Sequence, residues 1–277
     1  MSGPGLAVSN LAWPADALEE ALGMIAQAGA QGVEVAPTRI APWDALTPAL
    51  LSGYVEALHR HGLVPSSLQA IFFGVPAAQL LGDAAGLEAM AAHIRRVGAI
   101  AQALGVSVAV FGAPRNRGRG DLAPEAAFDL AVERLCRLAP IAADSGLVLV
   151  MEPVPEAYKS DFLLTWQEAL ALVASVDHPA VRLHLDTACV ALGHGDIAEA
   201  IRAGAGVLSH FHAAQPGLTD FSVPIEGLAQ AGEALENIGY GRWVAIEMLE
   251  QPEWRVALAG AVAAVGRRFR PAGVKVG

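Results

Sequence analysis

Short β-type runs alternate with amphipathic helical patterns along nearly the whole of this 277-residue chain. The predicted strands are 6–10, 32–36, 64–72 and 106–112, followed by runs that end at Glu152, Asp186, His212 and Glu247. Eight strand–helix pairs in strict alternation favour a closed parallel barrel over an open sheet. We therefore predict an α/β fold, a (β/α)8 TIM barrel. Because no linker or change of composition divides the chain, we expect a single domain over residues 1–277.

The composition excludes several classes of protein. Hydrophobic residues make up 54% of the chain and charged residues 17%, which indicates a large buried core rather than disorder. The net charge of −10 argues against nucleic-acid binding, which requires a positive surface that neutralises phosphates. No apolar run approaches the roughly 18 residues of a membrane span, and the N-terminal segment lacks the features of a secretory signal. We expect a cytoplasmic protein that binds neither nucleic acid nor membrane.

Cysteine usage agrees with an intracellular setting. The two cysteines, Cys136 and Cys189, lie far apart in the sequence and form no CxxC motif. They do not indicate a disulfide scaffold, so a reducing compartment is expected.

Four residues that can bind a metal end consecutive predicted strands in the second half of the chain: Glu152, Asp186, His212 and Glu247. In a barrel of this kind the active site forms at the carboxyl ends of the strands. A single acidic residue there can equally cap a helix or form a salt bridge. Three converging carboxylates repel one another unless a cation or a proton intervenes, so the set predicts a site for one divalent metal ion. Oxygen-rich ligands favour Mn²⁺ or Mg²⁺, with Co²⁺ or Zn²⁺ as alternatives, and the missing thiolates argue against structural zinc.

Short motifs on these strands carry a resemblance to a known family. They are GVEV at 32–35, MEP at 151–153, HLDT at 184–187, HFH at 210–212 and AIE at 245–247. In this order and spacing the chain resembles the sugar phosphate isomerase/epimerase family of xylose isomerase-like TIM barrels. That family includes ketose 3-epimerases, hydroxypyruvate isomerases, inosose dehydratases and, more distantly, endonuclease IV. The resemblance spans essentially the whole chain and implies the same four metal ligands.

The resemblance implies a metal-dependent isomerase or epimerase of a sugar, sugar phosphate or related hydroxy-ketone. In such enzymes two glutamates exchange protons with a carbon next to a carbonyl, while the metal polarises that carbonyl and stabilises an enediolate. Glu152 and Glu247 would inherit this catalytic role besides binding metal. The partner would be a small sugar-like molecule. The oligomeric state stays open, with a homo-oligomer as one alternative.

Three positions depart from the pattern of the ketose 3-epimerases. Cys189 stands where those enzymes carry a substrate-contacting His, and Leu218 stands where they carry an Arg. Gln215 replaces a Glu that is frequent in them. These changes argue against a free ketohexose as the substrate, but they leave the four predicted ligands intact.

Further polar residues follow the strand ends. Arg115 and Arg117 come directly after strand four, where they form either an anion clamp for a substrate phosphate or carboxylate or a solvated loop. The other candidate substrate contacts, each with a structural alternative, are Glu34, Gln69, Lys159 and Cys189.

Two histidines precede predicted ligands by two residues. His184 comes before Asp186 and His210 before His212, so each faces the same way as its ligand but lies deeper in the barrel. We predict hydrogen-bonded neighbours of the ligands rather than ligands themselves.

Three other functions stay open at the sequence level. A metal-dependent lyase, such as a keto-polyol or dehydroshikimate-type dehydratase, also begins with proton abstraction next to a carbonyl. An endonuclease IV-like phosphodiesterase would need more metal ligands and a basic surface, which the net charge of −10 opposes. A non-catalytic binding barrel would not need an intact set of metal ligands.

Overall fold

Eight parallel strands close into a barrel in the computed structural model, which describes residues 3–269. Residues 1–2 and 270–277 of the predicted domain lie outside the described part. Each strand pairs with the next, and the eighth pairs with the first. The strands are β1 (Gly5–Ser9), β2 (Gly32–Val35), β3 (Val64–Leu68), β4 (Val108–Phe111), β5 (Val148–Met151), β6 (Val181–Asp186), β7 (Leu208–Ala214) and β8 (Trp243–Glu247). The predicted fold class, a TIM barrel, is confirmed.

Helices fill the connections between the strands within residues 3–269. They are α1 (Leu18–Gln27), α2 (Pro48–Arg60), α3 (Ala84–Leu104), α4 (Pro124–Ala143), α5 (Trp166–Val176), α6 (Thr187–Leu192), α7 (Ile197–Ala203), α8 (Leu228–Asn237) and α9 (Trp254–Phe269). Eight of them match the predicted alternation of one helix after each strand, and the short α6, between β6 and α7, was not predicted. In the part of the chain that the structure describes, no helix combines the length and apolar character needed to span a membrane.

Local sequence signals explain where helices begin and end. Pro48 occupies the first position of α2, and the side chain of Thr47 accepts a hydrogen bond from the backbone N–H of Leu50. Gly105 ends α3 in the left-handed conformation, with φ of 72°. Every residue of β7 is buried, as expected for a parallel strand covered on both faces.

Strand β3 is shorter than predicted. The apolar run continues to Phe72, but the strand ends at Leu68 because Ala70 adopts a left-handed conformation with φ of 52°. The chain therefore leaves the sheet and enters the β3–α3 loop, residues 69–83. This turn brings Phe72 and Phe73 to the cavity at the mouth of the barrel.

Strand register aligns the predicted ligands at one end of the barrel. Asp186 of β6 is the register partner of His212 in β7, and Glu247 of β8 pairs with Ala214, two residues after His212. Glu152 follows the last residue of β5 directly. All four positions therefore lie at or next to the carboxyl ends of neighbouring strands.

Candidate metal centre

The four residues predicted as metal ligands come together in space. Glu152, Asp186, His212 and Glu247 each offer one ligand atom, and these atoms lie within 4.8 Å of one another. The side chains of Asp186 and His212 are each 1% exposed, whereas those of Glu152 and Glu247 are 12% and 13% exposed. Asp186 and His212 thus form the buried base of the cluster, and the two glutamates face the cavity above it.

The two carboxylate oxygens of Asp186 have different environments. Its Oδ1 accepts a hydrogen bond of 2.7 Å from the backbone N–H of Cys189 and so caps helix α6. Its Oδ2 is buried without a hydrogen-bond partner and lies 3.8 Å from Nδ1 of His212. The helix cap therefore fixes the carboxylate while its second oxygen remains available to a cation.

The ring of His212 is oriented by carboxylates on both sides. Its Nε2 lies 2.8 Å from Oε2 of Glu34, and its Nδ1 lies 3.2 Å from Oε2 of Glu247. Although burial favours the neutral ring, Glu34 and Glu247 raise the pKa of His212 well above its usual value. A carboxylate that holds one ring nitrogen while the other faces a metal is a common arrangement around metal-binding histidines.

Glu34 lies behind His212 and does not line the large cavity. Its carboxylate is fully buried and accepts hydrogen bonds from His210 Nε2 at 2.7 Å, Ser67 Oγ at 2.8 Å and Gln69 Nε2 at 3.1 Å. Burial works against its charge, but His212 and His210 hold the pKa of Glu34 well below its usual value. The Glu34 oxygens thus already have protein partners, and the substrate contact predicted for this residue stays a prediction.

Replacing Glu34 is expected to weaken metal binding without removing a ligand. In Glu34→Gln protein, the charge that orients and polarises His212 is lost, so we expect Mn²⁺ affinity to fall by about 10–100-fold in calorimetric titration. Ser67→Ala is the matched control, since Ser67 donates to Glu34 without contacting His212. Equal Mn²⁺ affinity in Glu34→Gln and wild type would contradict this role.

Glu152 fits into the centre because Gly112, which directly follows β4, carries no side chain. A Cβ atom added at Gly112 would lie 2.1 Å from Oε2 of Glu152. Burial, followed by the charges of Asp186 and Glu247, raises the pKa of Glu152 to about 8. Burial, followed by the charge of Glu247, raises the pKa of Asp186 to about 6. The cluster thus carries more negative charge than its surroundings stabilise, and a divalent cation would relieve this repulsion.

His184 and His210 lie next to His212, as their spacing indicates. The rings of His184 and His212 have centroids 4.2 Å apart, and those of His210 and His212 are 5.2 Å apart. Nitrogen atoms of the three rings also lie within 4.8 Å of one another. However, His210 Nε2 donates to Oε1 of Glu34 at 2.7 Å, so this nitrogen is already engaged. Both nitrogens of His184 are buried without a hydrogen-bond partner.

The two arginines after β4 have different environments. Arg115 is exposed and lines the large cavity that reaches the centre. Arg117 is fully buried: its Nη1 donates to the carbonyl of Phe111 at 3.1 Å, and burial lowers its pKa to about 10. Because its guanidinium has no exposed surface, Arg117 differs from Arg115 in access to the cavity, and its predicted role in an anion clamp stays a prediction.

The remaining candidate substrate contacts are spread around the mouth. Gln69 lines the large cavity, although its amide nitrogen is engaged by Glu34. Cys189 lines a smaller cavity of about 180 Å³, and its Sγ lies 3.7 Å from Oε1 of Glu152. Leu218 lines the same small cavity. Lys159 is exposed in a left-handed conformation, with φ of 62°, and lines neither of these cavities.

Three contributors were not identified from the sequence. They are Ser67, which donates to Glu34, Gly112, which makes room for Glu152, and Phe73, which lines the large cavity. The only sequence signal was the position of Gly112 at the end of a predicted strand. The roles of Ser67 and Phe73 depend on contacts between elements that are distant in sequence.

Comparison with known proteins establishes the family. The sequence model described as xylose isomerase-like TIM barrel matches residues 22–264. This chain belongs to that family. The resemblance stated from its strand-end motifs is therefore confirmed.

Individual relatives of this TIM-barrel protein include sugar epimerases. The D-psicose 3-epimerase of Ruminiclostridium cellulolyticum is 31% identical over 123 residues, which are 43% of this chain and 41% of that enzyme. The match thus spans less than half of that relative's length.

Solved structures of epimerases share the fold. The structure of an L-ribulose 3-epimerase superposes with a TM-score of 0.77 at 19% identity, covering 97% of this chain and 95% of that one. The 3-keto-D-glucoside 4-epimerase of E. coli gives a TM-score of 0.74 at 17% identity, covering 95% and 99%. At these identities the structures demonstrate a common architecture.

Proposed function

We propose that this protein is a divalent-metal-dependent epimerase or isomerase of a sugar, sugar phosphate or related hydroxy-ketone. The observation that carries the proposal is the meeting of Glu152, Asp186, His212 and Glu247 at the barrel mouth, with both glutamates open to a cavity. Membership of the xylose isomerase-like family and the D-psicose 3-epimerase relative support the same class.

The residues present fit a divalent cation. Asp186 Oδ2 and His212 Nδ1 are buried and lack hydrogen-bond partners, which is costly unless another group occupies the space between them. A cation with ligands at about 2.0–2.2 Å places opposite ligand atoms about 4.2 Å apart, close to the spread of the four atoms here. Three carboxylates and one imidazole suit Mn²⁺, Mg²⁺, Co²⁺ or Zn²⁺.

Two glutamates at the cavity provide the proton chemistry of the proposal. Glu152 follows β5 and Glu247 ends β8, so their carboxylates approach the cavity from different sides of the barrel mouth. When bound, the cation would polarise the carbonyl oxygen of the substrate. One glutamate would remove the proton from the carbon next to the carbonyl. The other would return a proton to the opposite face, giving an epimer, or to the adjacent carbon, giving an isomer.

The reaction class can be tested by the mass of the product. Manganese-loaded protein would be incubated with a panel of ketoses, ketose phosphates and smaller hydroxy-ketones. The products would be separated by chromatography, and their molecular masses would be measured by mass spectrometry. We expect at least one new compound of unchanged mass, formed by wild type and not by Asp186→Asn protein. A product lighter by one water molecule would instead identify a dehydratase, and no product from any compound would contradict the proposal.

Arg115 is the candidate with an exposed charge at the large cavity for binding an anionic substrate group. It is exposed at the rim of the large cavity, where a phosphate or carboxylate can reach it. Loss of one charged hydrogen bond costs about 1.5–3 kcal/mol, so Arg115→Ala should raise KM about tenfold or more for an anionic substrate. Arg95→Ala, an exposed arginine on α3, is the control. Unchanged KM in Arg115→Ala would indicate a neutral substrate.

A further inference from the structure

The cavity at the centre extends well beyond the four candidate ligands. It has a volume of about 740 Å³ and is bounded on one side by Glu152, His212 and Glu247. From there it reaches the β3–α3 loop and the residues after β4, including Phe73 and Pro114. One continuous space therefore joins the proposed reaction centre to an apolar wall.

The cavity has room for more than a hydroxy-ketone held at the centre. Its volume of about 740 Å³ includes space that opens to solvent at the barrel mouth. The volume lies within the range of about 300–1,000 Å³ found for sites that bind drug-sized ligands.

Phe73 presents an aromatic side chain to this space. It lines the cavity and is 70% exposed, which is unusual for a residue of this size and apolar character. Its backbone N–H donates to the carbonyl of Ala70 at 2.9 Å, and its own carbonyl accepts from Trp43 Nε1 at 2.8 Å. The exposed side chain thus stands on a backbone that is hydrogen-bonded on both sides.

The apolar wall is also fixed to the neighbouring loop. The amide of Asn116, which follows β4, donates to the carbonyls of Val75 at 2.8 Å and Ala78 at 2.7 Å. The backbone N–H of Leu80 donates to the carbonyl of Asn116 at 2.7 Å. These bonds hold the β3–α3 loop against the β4 end of the barrel. The wall is therefore formed before a ligand arrives, which lowers the cost of ordering it on binding.

We propose that the substrate is larger than a free ketose and carries, besides its hydroxy-ketone, a ring with an apolar face that packs against Phe73. This inference rests on the proposed function, since the hydroxy-ketone must occupy the metal centre. The feature that such substrates share is a ring with an apolar face. It is either an aryl group or the pyranose ring of a second sugar. Both stack on an aromatic side chain through an apolar face.

Two pairs of compounds separate these sources of the ring. Isomaltulose, which is fructose bearing a glucosyl group, is compared with D-fructose. Hydroxymethyl phenethyl ketone, which bears a phenyl ring, is compared with hydroxymethyl ethyl ketone. Binding of each compound to manganese-loaded protein is measured by titration calorimetry. We expect the ring to increase affinity about tenfold in at least one pair. A gain in the first pair only identifies a glycosyl ring, and a gain in the second only identifies an aryl ring.

Variants of Phe73 connect that gain to the apolar wall. Phe73→Ala should remove most of the gain while leaving the ring-free compounds and the melting temperature unchanged, because the side chain is largely exposed. Phe73→Tyr should retain the gain. Val256→Ala is the control, since Val256 is 72% exposed on α9 and does not line the cavity.

The outcomes distinguish this inference from the proposed function. If the ring-free compounds bind but the ring adds nothing, or if Phe73→Ala keeps the full gain, the ring site is wrong and the metal-dependent function stands. If no hydroxy-ketone of either pair binds the manganese-loaded protein, the proposed function fails and the ring site fails with it.

Discussion

Asp186→Asn and His212→Ala proteins are expected to lose most of their divalent metal, whereas wild type should bind about one ion per chain in this site. Each substitution removes one of the two buried ligand atoms that lack hydrogen-bond partners, Asp186 Oδ2 or His212 Nδ1. Because loss of an outer partner already costs about 10–100-fold in metal affinity, loss of a ligand should cost more than 100-fold. Manganese titration by calorimetry and elemental analysis of the purified proteins measure the effect.

A matched control separates metal binding from helix capping. Asp186 caps α6 through Cys189 N–H, and Asp196 caps α7 in the same way through Glu199 N–H at 2.7 Å. Asparagine caps helices about as well as aspartate, so both Asp→Asn proteins should keep their folding stability. Only Asp186→Asn should lose metal. If Asp186→Asn and Asp196→Asn proteins contain the same amount of metal as wild type, the centre is assigned to the wrong residues.

Shortening either glutamate at the cavity is expected to reduce turnover about 100-fold while the metal is retained. Glu152→Asp and Glu247→Asp keep the negative charge but withdraw the carboxylate by one methylene group. A displacement of about 1 Å from the reacting carbon can cost about 100-fold in rate. Turnover is measured on the hydroxy-ketone that the product assay identifies, together with metal content. Glu250→Asp, three residues beyond Glu247 and at the surface, is the control.

Solvent isotope incorporation tests the route of the proton. In D₂O, wild type should introduce deuterium at the carbon next to the carbonyl, because a carboxylate exchanges its proton with solvent between abstraction and return. Both shortened variants should slow incorporation together with turnover. Full turnover in wild type without any deuterium incorporation would argue for a hydride shift or a shielded transfer, and would reject proton exchange through Glu152 and Glu247.

The sequence predicted the fold and the candidate ligands through local signals. Alternation of strand and helix patterns over the whole chain allows few architectures, and connections between parallel strands place all carboxyl ends at one end of a barrel. Glu152, Asp186, His212 and Glu247 could therefore be grouped without knowledge of any contact. Their grouping depends only on strand order and on where each strand ends.

The sequence could not show which side chains meet across the barrel. Glu34 lies one residue before the end of β2, and its oxygens contact His210 and His212 of β7, a strand that is distant in sequence. Arg115 and Arg117 are two residues apart in one loop, yet one is exposed and the other fully buried. Helix α6 was missed because its six residues are too few to show a helical period.

What the sequence determined by itself is the barrel and the gathering of three carboxylates and one imidazole at the carboxyl ends of its strands. These follow from the periodicity of apolar residues and from the positions of strand ends, which are properties of the chain alone. Tertiary structure alone decided that Nδ1 of His212 faces the centre, that Glu34 holds the other ring nitrogen, and that Phe73 stands at the cavity wall. The orientation of a ring and the shape of a cavity depend on packing between distant segments, which the order of residues does not display.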